Sequence, residues 1–212
     1  MPHPFSPEDF PINEEEEMYP GKIFYLKGTI HFKNEASVID LTGKVKRQFD
    51  DFSQKFMQGV GRALEKAEDD QPKYSLNSSG SMMRTLKTIV DQQGEKVCDL
   101  NMTFVSFDNS SVRFPPGSEH SRHEIELYPV DDKVDKHECF IRHSIPYFWD
   151  LTNGQNGVLY KTLNQERVEV GKVSGYGWGK DAVLVFDEEE VDEVVAMATC
   201  IIMLNGKDAI DY

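Results

Sequence analysis

The sequence predicts a mainly β fold, a barrel or a sandwich, whose last regular element is a helix buried in the core. Short runs rich in Val, Ile, Phe, Tyr and Thr alternate with turn residues over most of the chain, a spacing typical of such folds. One late segment is apolar on every side, which is typical of a helix enclosed by protein. The chain has 212 residues, 39% of them hydrophobic, which is enough to fill one sizeable core.

The candidate strands are separated by residues that favour turns. They are 22–27, 29–33, 36–41, 82–90, 96–107, 111–114, 123–130, 138–144, 157–163, 167–174 and 181–186. Breaks such as Thr42-Gly43 and Asn156-Gly157 lie between them, and Asn-Gly pairs tolerate the positive φ that tight hairpin turns need. Strands at this spacing indicate one β domain.

A segment over residues 48–68 departs from the β pattern. It places Phe49, Phe52, Phe56 and Val60 at steps of three and four, so their side chains share one face of an amphipathic helix. We expect this helix to pack on the outside of the β structure. A membrane-surface role is the alternative, but the polar face mixes both signs of charge and lacks the basic excess of such helices.

The most informative segment is 194–204, which reads VVAMATCIIML without a charge. It is too short to cross a bilayer and apolar all round, which predicts a helix surrounded by protein. A buried strand is the alternative because Ile201 and Ile202 are β-branched, but eleven residues exceed the usual strand length. The acidic run 187–193 suits a helix N-terminus, and Asn205-Gly206 supplies a C-terminal stop.

Residues 1–21 differ in composition from the rest. They hold five of the ten prolines, four consecutive glutamates, and no Lys or Arg. Proline removes a donor and fixes φ, so this segment is predicted to be a flexible, acidic lead-in to a single domain over 22–212. An acidic docking tail is the functional alternative.

Charge and cysteine content exclude several classes. The formal net charge is −14, which disfavours a nucleic-acid partner. The three cysteines form no CxxC or CxH arrangement, so neither a zinc site nor a disulfide framework is indicated. The first residues lack a signal-peptide pattern and no run reaches about 18 apolar residues. We therefore expect a soluble, cytoplasmic protein without a transmembrane segment or a cofactor.

Three D-x-x-G-like turns and the ending carry a resemblance to a known family. These segments are 39–44, 89–97, 149–154, 182–186 and the acidic turn with the apolar helix at 187–204. The pattern resembles the tubby-like superfamily, and within it the plant and fungal LURP-one-related proteins. The resemblance implies a single closed antiparallel barrel around the C-terminal helix. The helix at 48–68 and the proline-rich start depart from the family pattern.

The resemblance also implies a function. Tubby proteins hold phosphoinositide head groups with Lys and Arg on the barrel wall, and the densest basic group here is Lys33, Lys44, Lys46 and Arg47. We therefore expect a non-enzymatic module that binds a lipid head group or a protein partner. Ordinary solvated charge is the simpler explanation for the same four residues.

A barrel enzyme or small-molecule carrier is the alternative function. Its pocket would use aromatic and acidic residues near glycine-rich turns, namely Tyr147, Trp149, Asp150, Tyr176, Trp178 and Asp181. Core packing is the simpler role for the aromatic members. No G-x-S-x-G or nucleotide fingerprint occurs, although catalytic groups can also assemble from distant strands.

Two sequence patterns resemble metal sites, but neither predicts one. His120 and His123 have a spacing that places them on opposite faces of a strand. The acidic turn 187–193 is in the position of the calcium-binding segment of phospholipid scramblases, which are similar to tubby proteins in fold. Its spacing lacks a regular D-x-D-x-D alternation, so helix capping is the favoured interpretation.

Overall fold

Twelve antiparallel strands close into one barrel, in which each strand pairs with its neighbours in sequence and β12 pairs with β1. The computed structural model describes residues 6–29, 36–67, 70–81, 84–103, 110–129, 137–151, 156–174 and 181–206. The strands are β1 (Lys22–Lys27), β2 (Ala36–Asp40), β3 (Tyr74–Ser81), β4 (Arg84–Asp91), β5 (Lys96–Thr103), β6 (Ser110–Arg113), β7 (Ile125–Pro129), β8 (His137–Arg142), β9 (Ile145–Asp150), β10 (Gly157–Leu163), β11 (Glu166–Ser174) and β12 (Ala182–Phe186). The helices are α1 (Gln54–Lys66) and α2 (Glu193–Gly206). The predicted mainly β barrel with two helices is confirmed.

Helix α2 forms the centre of the barrel. Each side chain from Val194 to Leu204 is at most 1% exposed, and the apolar ones belong to one core cluster with the inward faces of the strands. Its one polar side chain in that stretch, Thr199, donates to the Val195 carbonyl at 2.8 Å and accepts the Trp149 indole N–H at 3.1 Å. This explains why a charge-free segment too short for a membrane is stable here, since the surrounding strands bury it on every side.

Helix α1 lies on the outside of the same barrel. Its buried residues Phe56, Val60 and Ala63 form a second cluster with the outward-facing Val183 and Val185 of β12. Strand β12 is therefore buried on both faces, by α2 inside and α1 outside. A strand covered on both faces has a continuous apolar sequence, as 182–186 has.

Helix α1 begins six residues later than the periodicity predicts. Asp51 and Phe52 both adopt a φ of 59°, which an α-helix cannot include. Ser53 then caps the helix, because its Oγ accepts the Phe56 N–H at 3.2 Å. The Phe49 and Phe52 rings pack on the Phe56 ring, with centroids 5.2 and 6.1 Å away, so their apolar spacing reflects packing and not helical structure.

Two strands were absent from the sequence prediction. The sequence of β3, YSLNSSGS, reads locally as a loop because it is rich in Ser and Gly. Strand β9 follows β8 through a two-residue turn at His143 and Ser144, whose φ values are 51° and 66°. This is the turn geometry that usually selects Asn-Gly, so His-Ser gave no signal. Most of the strand expected over 29–33 lies outside the described residues.

The N-terminal lead-in lies against the outer wall of the barrel from residue 6 onward. The Phe10 ring packs 5.8 Å from the Phe148 ring, over an outward-facing cluster that includes Cys139, Val158 and Tyr160. Next along the chain, a parallel bridge joins the lead-in to β11, where the Arg167 backbone both donates to and accepts from it, at 2.7 and 2.9 Å. The flexibility predicted for 1–21 stays a prediction, but its described part covers apolar surface.

These contacts change the expected effect of truncation. From composition alone, deleting residues 1–18 should change stability little. The packing of Phe10 leads us instead to expect a loss of about 1–3 kcal/mol, or a fall in Tm of roughly 3–10 °C in thermal unfolding. Glu15→Ala, at an exposed position of the lead-in, is the control and should leave Tm unchanged. If the 1–18 deletion also leaves Tm within a degree, the lead-in contributes nothing to the folded state.

Candidate binding surfaces

The interior of the barrel contains two residues of the alternative pocket. Trp149 is fully buried against α2 through its bond to Thr199. Tyr147 is 3% exposed, and its ring stacks on Phe140 with centroids 4.9 Å apart. Both side chains belong to the same buried core cluster as the apolar residues of α2. Both are anchors between the barrel wall and its central helix, the role that large aromatic residues usually have.

The acidic members of that set lie elsewhere. Asp181 accepts the Tyr25 hydroxyl at 2.7 Å and the Gly28 N–H at 2.6 Å, and Tyr25 packs in the outer cluster beneath α1. Burial, together with Asp181, raises the pKa of the Tyr25 hydroxyl. Asp150 is half-buried at the end of β9 and has a partner. Tyr176 and Trp178 lie outside the described residues. The barrel wall thus separates Asp181 from Trp149.

Three residues, Asp192, His120 and Arg142, form an N-cap cluster at the start of α2. One Asp192 carboxylate oxygen accepts the Val194 and Val195 N–H groups at 3.0 and 3.1 Å. The other lies 3.1 Å from the His120 ring and 3.8 Å from the Arg142 guanidinium. The capping role predicted for the acidic turn therefore falls to Asp192, which satisfies two N–H groups that a helix start leaves without intrahelical partners.

The cluster shifts the pKa values of both titratable partners. The hydrogen bond to Asp192 raises the pKa of His120 against the opposing effect of burial. Burial alone would raise the pKa of Asp192, but the bonds from His120 and the Val195 N–H, with the nearby charges, hold it below its ordinary value. Both groups are therefore charged together over a wider pH range in the folded chain than in the unfolded chain.

This linkage predicts a pH dependence of stability. His120 has a raised pKa, so its contribution is complete below the ordinary value of 6.5 and is lost as pH rises through the folded pKa. Asp192 has a lowered pKa, so its contribution is complete above 3.8 and is lost as pH falls through the folded pKa. In urea unfolding, we expect the free energy of unfolding of the parent to exceed that of His120→Asn by more near pH 6 than near pH 9. A difference that is equal at both pH values would show that the charged His120–Asp192 pair does not stabilise the fold.

Glu193, beside the cap, ties the helix to the opposite side of the barrel. It accepts the Tyr74 hydroxyl at 2.5 Å and the Lys73 ammonium at 2.9 Å. Lys73 also lies 3.3 Å from Asp40 of β2. Burial, together with Glu193, raises the pKa of the Tyr74 hydroxyl. These bonds hold α2 to β2 and β3.

Two carboxylates of the acidic turn, those of Asp187 and Asp192, accept hydrogen bonds from backbone N–H groups. Asp187 accepts the Glu189 N–H at 3.0 Å and the Tyr19 N–H at 3.3 Å, and Asp192 caps α2. No group of three or more His, Cys, Asp or Glu side chains converges as a metal site in the part of the chain that the structure describes. The Asp187 and Asp192 oxygens are therefore already bonded to backbone N–H groups and, on Asp192, to His120 and Arg142.

We expect Ca²⁺ to shift Tm no more than Mg²⁺ does at equal ionic strength. A site selective for the folded state would instead stabilise it by about 2.7 kcal/mol at a hundredfold excess over Kd. Thermal unfolding with each cation is the measurement. A Ca²⁺-specific rise that disappears in the double variant Asp187→Asn, Asp192→Asn would establish a calcium site.

The predicted basic patch lies in the loop that follows β2. Lys44 pairs with Asp70 at 2.8 Å, whereas Lys46 and Arg47 are exposed and have no acidic partner among the described residues. Lys33 lies outside the described residues. A depression of about 360 Å³ adjoins Lys44 and also contains Lys73, with Asp70 and Asp40 beside the two ammonium groups. Of the three patch members that the structure describes, Lys46 and Arg47 therefore offer uncompensated positive charge.

A larger depression, the acidic groove, has a volume of about 510 Å³ and is formed by three separate segments: the lead-in, the loop before α1, and the outer face of β10 and β11. Its carboxylates are Glu14, Glu16, Glu17, Asp50, Asp51 and Glu169. The one cation in its lining is Lys172. The sequence signalled this site only through the glutamate run at 14–17, because the other members converge from distant positions.

Lys172 bridges two walls of the acidic groove. Its ammonium lies 2.9 Å from Asp51 and 3.3 Å from Glu169. Burial would lower the pKa of Lys172, but the hydrogen bond to Asp51 and the charge of Glu169 raise it. Burial raises the pKa of the Glu169 carboxyl. The groove can therefore hold an ammonium group between carboxylates from different segments.

Comparisons with known proteins give a sparse result. No family model matches the sequence, and no curated protein matches it. Among solved structures, the chain is similar to the X-ray structure of a protein from Arabidopsis thaliana, with 13% sequence identity, a TM-score of 0.47, and coverage of 93% of this chain and 94% of that one. Within the described residues, neither helix has the length and apolar character needed to cross a membrane.

Proposed function

We propose that this chain is a non-enzymatic, tubby-like binding module, similar in pattern to LURP-one-related proteins, that recognises a protein partner on the outside of its barrel. One observation carries the proposal. Helix α2 fills the interior, and its side chains from Val194 to Leu204 are at most 1% exposed. A ligand of appreciable size therefore has the outer surface available and not the lumen.

Charge favours a protein partner over a membrane. The net charge of −14 repels anionic lipid surfaces at long range. The acidic groove concentrates six carboxylates around one lysine, and such a surface favours a partner of opposite charge.

Native mass spectrometry of the full chain, purified gently from its own cells, tests this proposal. We expect a complex that contains a second polypeptide in a fixed ratio. A small non-polypeptide adduct that survives purification and is released only on unfolding would point to a carrier and contradict it.

An anionic lipid head group is the second candidate ligand. It is favoured by the exposure of Lys46 and Arg47, which lack acidic partners in the described part of the chain. Co-sedimentation with phosphatidylcholine vesicles, with and without a phosphoinositide, tests it.

The lipid test uses two triple variants. Lys44→Ala, Lys46→Ala, Arg47→Ala should abolish phosphoinositide-dependent sedimentation. The control Lys27→Ala, Lys96→Ala, Arg113→Ala, which removes equal charge from exposed positions on three strands, should retain it. If the parent stays in the supernatant with both vesicle types, the lipid candidate is wrong.

A further inference from the structure

We propose that the acidic groove is the partner-binding site and that it takes an extended peptide segment in which lysine or arginine residues are interspersed with apolar ones. This inference rests on the proposed function, because it names the place and the chemistry of the protein contact.

The first support is uncompensated charge. Glu14, Glu16 and Glu17 are exposed on one wall, and none has a cationic partner among the described residues. Carboxylates crowded along one wall repel one another, and a bound cation removes that repulsion. The only cation in the lining, Lys172, is already shared between Asp51 and Glu169, so the lead-in wall is open to cations from another molecule.

Lys172 provides the second support, because it shows what the groove accommodates. Its side chain is 19% exposed, and its ammonium is held between carboxylates of the loop and of β11. The aliphatic stem of a lysine packs on apolar surface while its ammonium reaches polar groups. A partner lysine that enters from the open side would meet the same combination.

The third support is apolar surface within the acidic groove. Ile12 is 45% exposed, the partly exposed side chains of Met18 and Phe49 line the groove beside it, and Tyr160, which is 9% exposed, lies in the same lining. Exposed large apolar side chains gain free energy when a partner covers them. A peptide with apolar residues would contact both this surface and the carboxylates. A simple polycation would contact the carboxylates alone.

Isothermal titration calorimetry of the full chain with three defined probes tests the proposal. They are the capped peptide KLGKLGKLGK, the same peptide with Glu in place of Lys, and spermine. We expect the lysine peptide to bind, the glutamate peptide not to bind, and spermine to bind more weakly than the lysine peptide. Spermine that binds as tightly would show that the apolar surface plays no part, and would overturn the peptide assignment.

Two matched variants separate the groove from general attraction to an acidic protein. The first is the triple variant Glu14→Gln, Glu16→Gln, Glu17→Gln, which should raise the Kd of the lysine peptide at least about tenfold. Glu65→Gln, Glu95→Gln, Glu119→Gln changes net charge equally at exposed sites outside the groove lining, and should weaken binding less than about threefold. Equal losses in the two variants would overturn the proposal.

The variant Ile12→Ser should weaken the binding of the lysine peptide but not the binding of spermine.

A polypeptide that co-purifies with the chain separates the failure of this inference from the failure of the proposed function. If the lysine peptide fails to bind while both the parent and the groove variant retain that polypeptide, the acidic groove is the wrong site and the proposed function stands. If the parent retains no polypeptide, the proposed function fails, whatever the peptide does.

Discussion

Ile201→Asp should abolish soluble folding, the largest effect that we expect from a single substitution. Ile201 is fully buried in α2 at the centre of the barrel. A carboxylate at this position would be surrounded by apolar core side chains. An unpaired buried charge costs several kcal/mol or forces protonation. That penalty is comparable with the whole stability of a domain, about 5–15 kcal/mol. Soluble yield and cooperative thermal unfolding are the measurements.

Two control variants make the Ile201 result specific. Ile201→Val removes one buried methylene and should cost only about 0.5–1.5 kcal/mol. Leu86→Asp places the same carboxylate on β4 at a side chain that is 38% exposed, and it should remain soluble. A soluble Ile201→Asp with a Tm within a few degrees of the parent would show that α2 is not enclosed by the barrel.

Asp192→Ala should cause the next largest loss, because it removes four contacts of the Asp192 carboxylate at once. The helix loses the acceptor for two N–H groups, and His120 and Arg142 lose their carboxylate. Loss of a cap costs about 1 kcal/mol, and leaving half-buried cations unpaired adds to it. We expect roughly 2–4 kcal/mol in urea unfolding at neutral pH.

Asp192→Asn separates the cap from the charge. Asparagine is also a good N-cap, so it should keep the bonds to the Val194 and Val195 N–H groups while losing the attraction to His120 and Arg142. We therefore expect a loss between those of the parent and Asp192→Ala. An alanine variant within about 0.5 kcal/mol of the parent would mean that other groups hold the start of α2.

Local sequence was sufficient for features whose signal lies within one segment. The charge-free run 194–204 predicts an enclosed helix, because such a helix is apolar on every side and has no face suited to water. The outer helix was predicted from its apolar spacing, and its start was misplaced because Phe49 and Phe52 have the same spacing but pack from a loop. For Tyr147 and Trp149 the sequence favoured core packing and kept a pocket as the alternative, because an aromatic side chain suits both and only its surroundings decide between them.

By itself, the sequence determined the mainly β class, the enclosed C-terminal helix and the acidic character of this protein, because each depends on side-chain chemistry summed along a continuous stretch. The tertiary structure alone decided the rest. It paired β3, whose Ser-rich sequence has no strand signal, packed Phe10 on the outer wall, and joined His120 to Asp192. It also assembled the acidic groove from three segments. Contacts between residues far apart in sequence depend on strand register and barrel closure, which local propensity does not encode.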